Sequence, residues 1–94
     1  MRAARVDENQ AEIIEALRQC GVFVQPLHTV GKGVPDAMWS ISGRMGLLEF
    51  KDGRKSPSHR RLTPDQQRWF AAWQGPPIAV VENVEQAIRA VFPK

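Results

Sequence analysis

Asp36, Glu49 and Lys51 are the residues whose types and spacing could do chemistry. Residues 37–41 and 45–51 read as two strands joined by Ser42-Gly43-Arg44, a hairpin signal. Side chains alternate along a strand, so Glu49 and Lys51 point to one face while Leu48 and Phe50 point to the other. With the turn at the centre, paired residue numbers sum to about 86, which sets Asp36 beside Phe50. Two carboxylates and an ammonium then meet at one end of a sheet. This group suits a hard divalent cation, because Mg²⁺ prefers oxygen ligands and keeps several waters; Mn²⁺ shares those ligands. A cation on Asp36, Glu49 and the Phe50 carbonyl would polarise a phosphate and generate hydroxide. Lys51 would orient that water or stabilise charge developing at phosphorus. A Glu and a Lys two apart on a strand also form an ordinary solvated pair. The setting favours a site: Glu49 follows the apolar Leu47-Leu48, and a Gly-Pro turn with no hydrophobic requirement of its own precedes Asp36.

These residues need elements to position them. Residues 7–20 read as a helix, with Val6, Ile13, Leu17 and Cys20 at helical spacing, Ile14 at the edge and Gly21 as the stop. Asp7 and Glu8 fall in its first turn, where the helix dipole favours anions. Cys20 is expected in the core. Val22-Phe23-Val24 is a short β-prone run ended by Pro26, and residues 29–35 form a glycine- and proline-bearing loop. After the hairpin, residues 52–62 read as an exposed loop. Thr63-Pro64-Asp65-Gln66 then opens a second helix with Thr as N-cap, Pro at N1 and Gln at N3, a capping box. That helix carries Trp69, Phe70 and Trp73, which cannot all face one core; one tryptophan is expected exposed, at a dimer contact or against a base. Ile78-Ala79-Val80-Val81 reads as a buried strand. Asn83 caps a last helix over 84–91 with Val84, Ala87, Ile88 and Val91 on one face. The order αβββαβα is α/β: one small mixed sheet flanked by helices.

Composition sets bounds on this reading. Ninety-four residues make one domain, 1–94, and a 43% hydrophobic content excludes intrinsic disorder. No apolar run approaches the ~20 residues of a membrane span and no signal-type segment opens the chain. With one cysteine there is no internal disulfide, so an intracellular, cytoplasmic protein is expected. So short a chain buries little more than about 60% of its unfolded surface, and oligomerisation would help it. The net charge of +3 says little, but its distribution says more: Arg44, Lys51, Arg54, Lys55, Arg60 and Arg61 sit close together in sequence.

Taken together, Gly33-Val34-Pro35-Asp36, Leu48-Glu49-Phe50-Lys51 and Leu62-Thr63-Pro64-Asp65-Gln66 resemble the signature of the PD-(D/E)xK nuclease superfamily. More narrowly, they resemble its virus-type replication-repair nuclease branch, VRR-NUC. The likeness covers nearly the whole chain, from Asn9 to Val91. It implies a restriction-endonuclease-like core and a Mg²⁺- or Mn²⁺-dependent phosphodiesterase acting on DNA. Asp36 and Glu49 would be its metal ligands, Lys51 its third catalytic group, and Gln66 would lie near the site. Small stand-alone members are similar to homodimeric resolvases that cut branched DNA such as Holliday junctions. A homodimer, a branched substrate and a phage origin are expected on that ground.

Gln10 and Glu12 are supporting candidates. The superfamily commonly places another carboxylate on the sheet-facing side of the first helix, and that position falls at Gln10, which is neutral. Gln10 lies about 60° from Ile13 on the apolar side, and Glu12 borders that face about 100° the other way, from where it could reach inward. Gln66 has two roles open to it: returning a hydrogen bond to the Thr63 backbone, or acting in the site.

The basic loop leaves directly from Lys51, so Arg54, Lys55, Arg60 and Arg61, with Lys32 on the Gly-rich loop, would flank the cleft and neutralise phosphates. Plain solvated surface is the other reading. No base-reading recognition helix is present, so structure-selective binding is expected. His28 and His59 lack a Cys or His partner at zinc spacing, and His59 joins the basic loop. Three other functions compete with an enzyme: a non-cutting nucleic-acid-binding module disabled by Gln10, a nuclease subunit needing a partner, and a protein-interaction domain.

Overall fold

The computed structural model describes residues 9–93. The expected start of the first helix, with Val6, Asp7 and Glu8, lies outside the described residues, as does the side chain of His59. The elements are α1 (Gln10–Gln19), β1 (Phe23–Pro26), β2 (Ala37–Ile41), β3 (Arg44–Phe50), a 3₁₀ turn (Pro57–His59), α2 (Pro64–Ala72), β4 (Ile78–Val81) and α3 (Val84–Val91). The strands form one mixed sheet in the order β1-β2-β3-β4, antiparallel except for the parallel pair β3 and β4.

The hairpin turns more tightly than its sequence suggests. Ser42 and Gly43 alone make the turn, with φ of 50° and 79°, and Arg44 already pairs with Ile41. Two left-handed residues match the right-handed twist of the flanking strands, which is why a two-residue loop suffices. Ala37 pairs with Leu48, so continuing the register by one sets Asp36 opposite Glu49, not Phe50. This correction brings the two carboxylates directly side by side.

One face of the sheet carries the core. Val24, Ala37, Trp39, Leu48, Phe50 and Val81 pack against Ile13 and Leu17 of α1 and Ala87 and Val91 of α3. Removing a side chain of this size from water stabilises the fold by roughly 1.5–3 kcal/mol. Asn83 caps α3 as expected, its side chain accepting from the Gln86 N–H. Cys20, by contrast, is exposed. It follows the last residue of α1 where the chain already turns into Gly21 (φ 88°), so Leu17 is the last inward position.

The other face is sparsely covered. No residue of α2 is fully buried; Trp69, Phe70 and Trp73 are not enclosed, and the two tryptophan rings stack with centroids 5.1 Å apart. All three aromatics are half-buried, so neither tryptophan is the exposed one expected and none of the three is a fully enclosed core residue. β4 is also less enclosed than its apolar run suggests: Val81 is 2% exposed but Val80 is 43% exposed, because Val81 pairs with Phe50 on the core face while Val80 pairs with Glu49 on the sparsely covered one. Among the described residues no helix is long and apolar enough to cross a membrane.

Candidate active site

A cleft of about 260 Å³ opens where β2 begins and β3 ends, lined among others by His28, Lys32, Asp36, Glu49, Lys51 and Gln66. It is smaller than most pockets for drug-sized ligands, but it is large enough for a phosphate group and a cation. The sheet register brings its carboxylates together, and a backbone contact fixes one of them: the Phe50 N–H donates to Asp36 Oδ2 at 2.8 Å. Phe50 itself turns its ring into the core at 1% exposure, so it meets the cleft through its backbone.

Glu49 lies at the centre. Its residue is 2% exposed. Oε2 accepts from Gln66 Nε2 at 2.7 Å and lies 3.5 Å from Lys51 Nζ, while Oε1 is buried with no hydrogen-bond partner among the described residues. Burial, and after it the neighbouring charge of Asp36, push this carboxyl up to about 8, against the opposing pull of Lys51. Among the described residues no donor reaches that oxygen, so its burial carries a desolvation cost, and the Asp36 carboxyl beside Glu49 can meet it only by sharing a proton.

Gln66 makes the contacts of the cap and also touches Glu49 and Lys51. Its backbone N–H donates to Thr63 Oγ1 at 3.2 Å, and its Oε1 accepts from the Thr63 N–H at 2.8 Å, which completes the capping box. The same Oε1 accepts from Lys51 Nζ at 3.2 Å, while Nε2 holds Glu49. The cap thus fixes the amide that bridges the site's carboxylate and ammonium. Gly33 makes this approach possible: a Cβ there would collide with the backbone of Asp65 and Gln66 at the start of α2. Its φ of 85° independently favours glycine.

The remaining expected residues separate. Gln10 is buried at 3% exposure but lies outside the cleft wall, with its Nε2 3.5 Å from Nδ1 of the cleft-lining His28. Glu12 does not reach inward; it is exposed and lines a separate groove with Asp52, Arg54 and Glu82. Lys32 does line the cleft, with φ of 57° between two left-handed glycines. Arg54 and Arg60 pair with Asp52 and Glu82 at 2.9 and 3.2 Å; Arg54, Lys55 and Arg61 are exposed and Arg60 is half-buried. The loop is less open than expected, because Asp52 is buried and residues 57–59 form a helical turn.

Sequence reasoning misses two residues. It weighs His28 only as a zinc ligand, although its place before the Gly-rich loop sets it beside Asp36; the Leu27 N–H donates to the Asp36 carbonyl at 2.6 Å. Asn9 gives no signal, because its partners are remote in sequence. Its Nδ2 donates to the carbonyls of Lys51 (3.2 Å) and Glu82 (2.8 Å), tying the ends of β3 and β4 to the start of α1.

Among the described residues no three His, Cys, Asp or Glu side chains converge as metal ligands. Comparison with protein-family models, curated proteins and solved structures returned no match.

Proposed function

We propose that this chain is a divalent-metal-dependent endodeoxyribonuclease of the VRR-NUC type, with a restriction-endonuclease-like core. The observation that carries the reading is the Glu49 carboxylate: buried beside Asp36, gripped on Oε2 by Gln66, and unpartnered on Oε1 among the described residues. A pair of carboxylates with one orphaned oxygen fits a hard cation that completes its shell with water and a backbone carbonyl, here that of Phe50. Mg²⁺ or Mn²⁺ on Asp36 and Glu49 would supply Lewis acidity to a phosphodiester and acidity to a water. Lys51, steered by Gln66, orients that water and offsets charge developing on the phosphate. Lys32, Lys55 and Arg61 hold the flanking backbone without reading sequence. A branched substrate, an intracellular setting and a homodimer complete the proposal; a two-fold axis would present equal sites to two strands.

A second reading is favoured by the neutral Gln10 and by the absence, among the described residues, of a third acidic or histidine ligand. It is a non-cutting nucleic-acid-binding module of the same fold, or a subunit completed by a partner. Cleavage of a labelled four-way junction, beside linear duplex and single-stranded DNA, with Mg²⁺, Mn²⁺ or EDTA, separates the two. Metal-dependent cutting that Lys51→Ala removes supports the enzyme, and symmetric cuts support the dimeric resolvase. Salt-sensitive binding without a product under either metal supports the module.

A further inference from the structure

His28 is the cleft residue that this mechanism leaves unused. It lies two residues beyond β1, on the far side of the carboxylates from Lys51 in the strand order β1-β2-β3. The donors of the two walls differ in availability. On the β3 side, the Lys51 ammonium is engaged by Gln66 and Glu49. On the β1 side, Lys32 and His28 line the cleft, and Nε2 of His28 has no hydrogen-bond partner among the described residues. Behind the ring stands Gln10, whose Nε2 approaches His28 Nδ1 at 3.5 Å. With the Gln10 amide nitrogen facing it, Nδ1 is placed to accept, the arrangement that goes with the tautomer carrying its proton on Nε2. The Gln10 amide is buried, and the ring that it approaches lines a polar cleft.

We propose that His28 donates a hydrogen bond from Nε2 to a phosphate oxygen of DNA in the cleft, and that Gln10 is the positioning residue that keeps the proton on that nitrogen. The inference rests on the nuclease reading above and adds a second wall to it. A cation on the carboxylates would meet the phosphodiester from one side, and His28 with the Lys32 ammonium would hold it from the opposite side through N–H donors. The class of ligand follows from this chemistry: a donor-only wall facing a cation site fits an anionic phosphodiester.

Two measurements test it. The first is ¹⁵N NMR of histidine-labelled, metal-free protein, titrated with an unlabelled four-way junction in the presence of Ca²⁺. His28 is expected to carry its neutral-state proton on Nε2, and that nitrogen is expected to shift on DNA addition. A ring protonated on Nδ1, or an Nε2 indifferent to bound DNA, overturns the proposal. The second is kinetic. His28→Leu is expected to lower kcat/KM by about 10- to 100-fold, the effect of one hydrogen bond to a charged group. His28→Gln, whose amide places a donor near the Nε2 position, is expected to recover at least half of that loss on a logarithmic scale. Unchanged cutting by His28→Leu overturns the proposal and leaves the nuclease reading standing. No cutting by the wild-type chain under any cation removes the nuclease reading itself, and this inference with it.

Discussion

Glu49 and Asp52 stand close together in sequence and are equally hidden, with side chains 3% and 4% exposed, yet their surroundings drive them in opposite directions. Asp52 is met by its own neighbour. The Arg54 side chain donates to both its oxygens at 3.0 and 2.9 Å and the Arg54 backbone adds a third bond, which holds the carboxyl down at about 2. Glu49 receives no such match: burial and Asp36 outweigh Lys51, and one oxygen stays orphaned among the described residues. The contrast separates a carboxylate that stabilises the fold from one maintained at a cost. Covering a carboxylate does not by itself create a site. A site arises where covering it leaves an interaction that something from outside can complete.

The largest expected effect exploits that difference. Glu49→Gln should lower cleavage by at least about 10²- to 10³-fold, the scale for losing one group that stabilises transition-state charge. It should also raise the thermal midpoint at pH 8, because a neutral amide replaces a carboxylate that the fold disfavours. Asp52→Asn should do the reverse, retaining cleavage while lowering the midpoint at pH 7. Calorimetry paired with a cleavage assay on both variants checks this, and a Glu49→Gln protein less stable than wild type at pH 8 would break the comparison.

Gln66 lets the site be separated from the cap that holds it. Gln66→Ala should lose about tenfold or more in cleavage, since Glu49 and Lys51 both lose a partner. Thr63→Ala removes only the cap's side-chain acceptor and should cost about 1 kcal/mol of stability with a smaller change in rate. Equal rate losses in both variants would mean that Gln66 acts only through the helix start.

The pH dependence sharpens the same contrast. Glu49 titrates near 8 in the folded chain against an ordinary value of 4.5, so its contribution to stability is full below about pH 4.5 and is lost as pH rises through 8. Asp52 behaves oppositely: its contribution is present above about pH 3.8 and is lost as pH falls through about 2. Thermal melts should therefore show a Glu49-dependent decline between about pH 6 and 8, flattened in Glu49→Gln. Mg²⁺ or Mn²⁺ should offset the decline at pH 8, because an ion bound only to the folded chain stabilises it. A decline that survives in Glu49→Gln would assign it to another group.

Much of this is legible in the sequence because it is local. The Thr63 capping box, the Asn83 cap, the hairpin and the Glu49/Lys51 alternation each depend on residues a few positions apart. What sequence reasoning misses depends on contacts between distant segments. Asn9 reaches partners 42 and 73 residues away, and Arg60 is neutralised by Glu82, 22 residues on. The hairpin register differs by a single residue, since a Ser in the left-handed region carries no strong sequence signal, and that one residue decides which position faces Asp36. Cys20 and Val80 differ for a related reason: apolar periodicity says which residues share a face but not where the covering element ends.

The smallest expected effect tests how charge is shared between the two regions. If phosphates are met by cations not already bound to carboxylates, Lys32→Ala should reduce the dependence of log K on log salt by about 0.9, the value for one phosphate no longer neutralised. Arg54 should contribute little in the wild type, because Asp52 already holds its guanidinium. Asp52→Asn then becomes informative in the other direction. It releases Arg54 for a phosphate and removes a negative charge, so DNA binding should tighten and its salt dependence should steepen by up to the same amount. Adding Arg54→Ala to Asp52→Asn should return the slope to near its starting value. Anisotropy titrations between about 50 and 200 mM salt resolve slopes of this size. An Asp52→Asn protein with unchanged affinity would place Arg54 off the DNA path and confine the electrostatic track to Lys32 and the other basic residues.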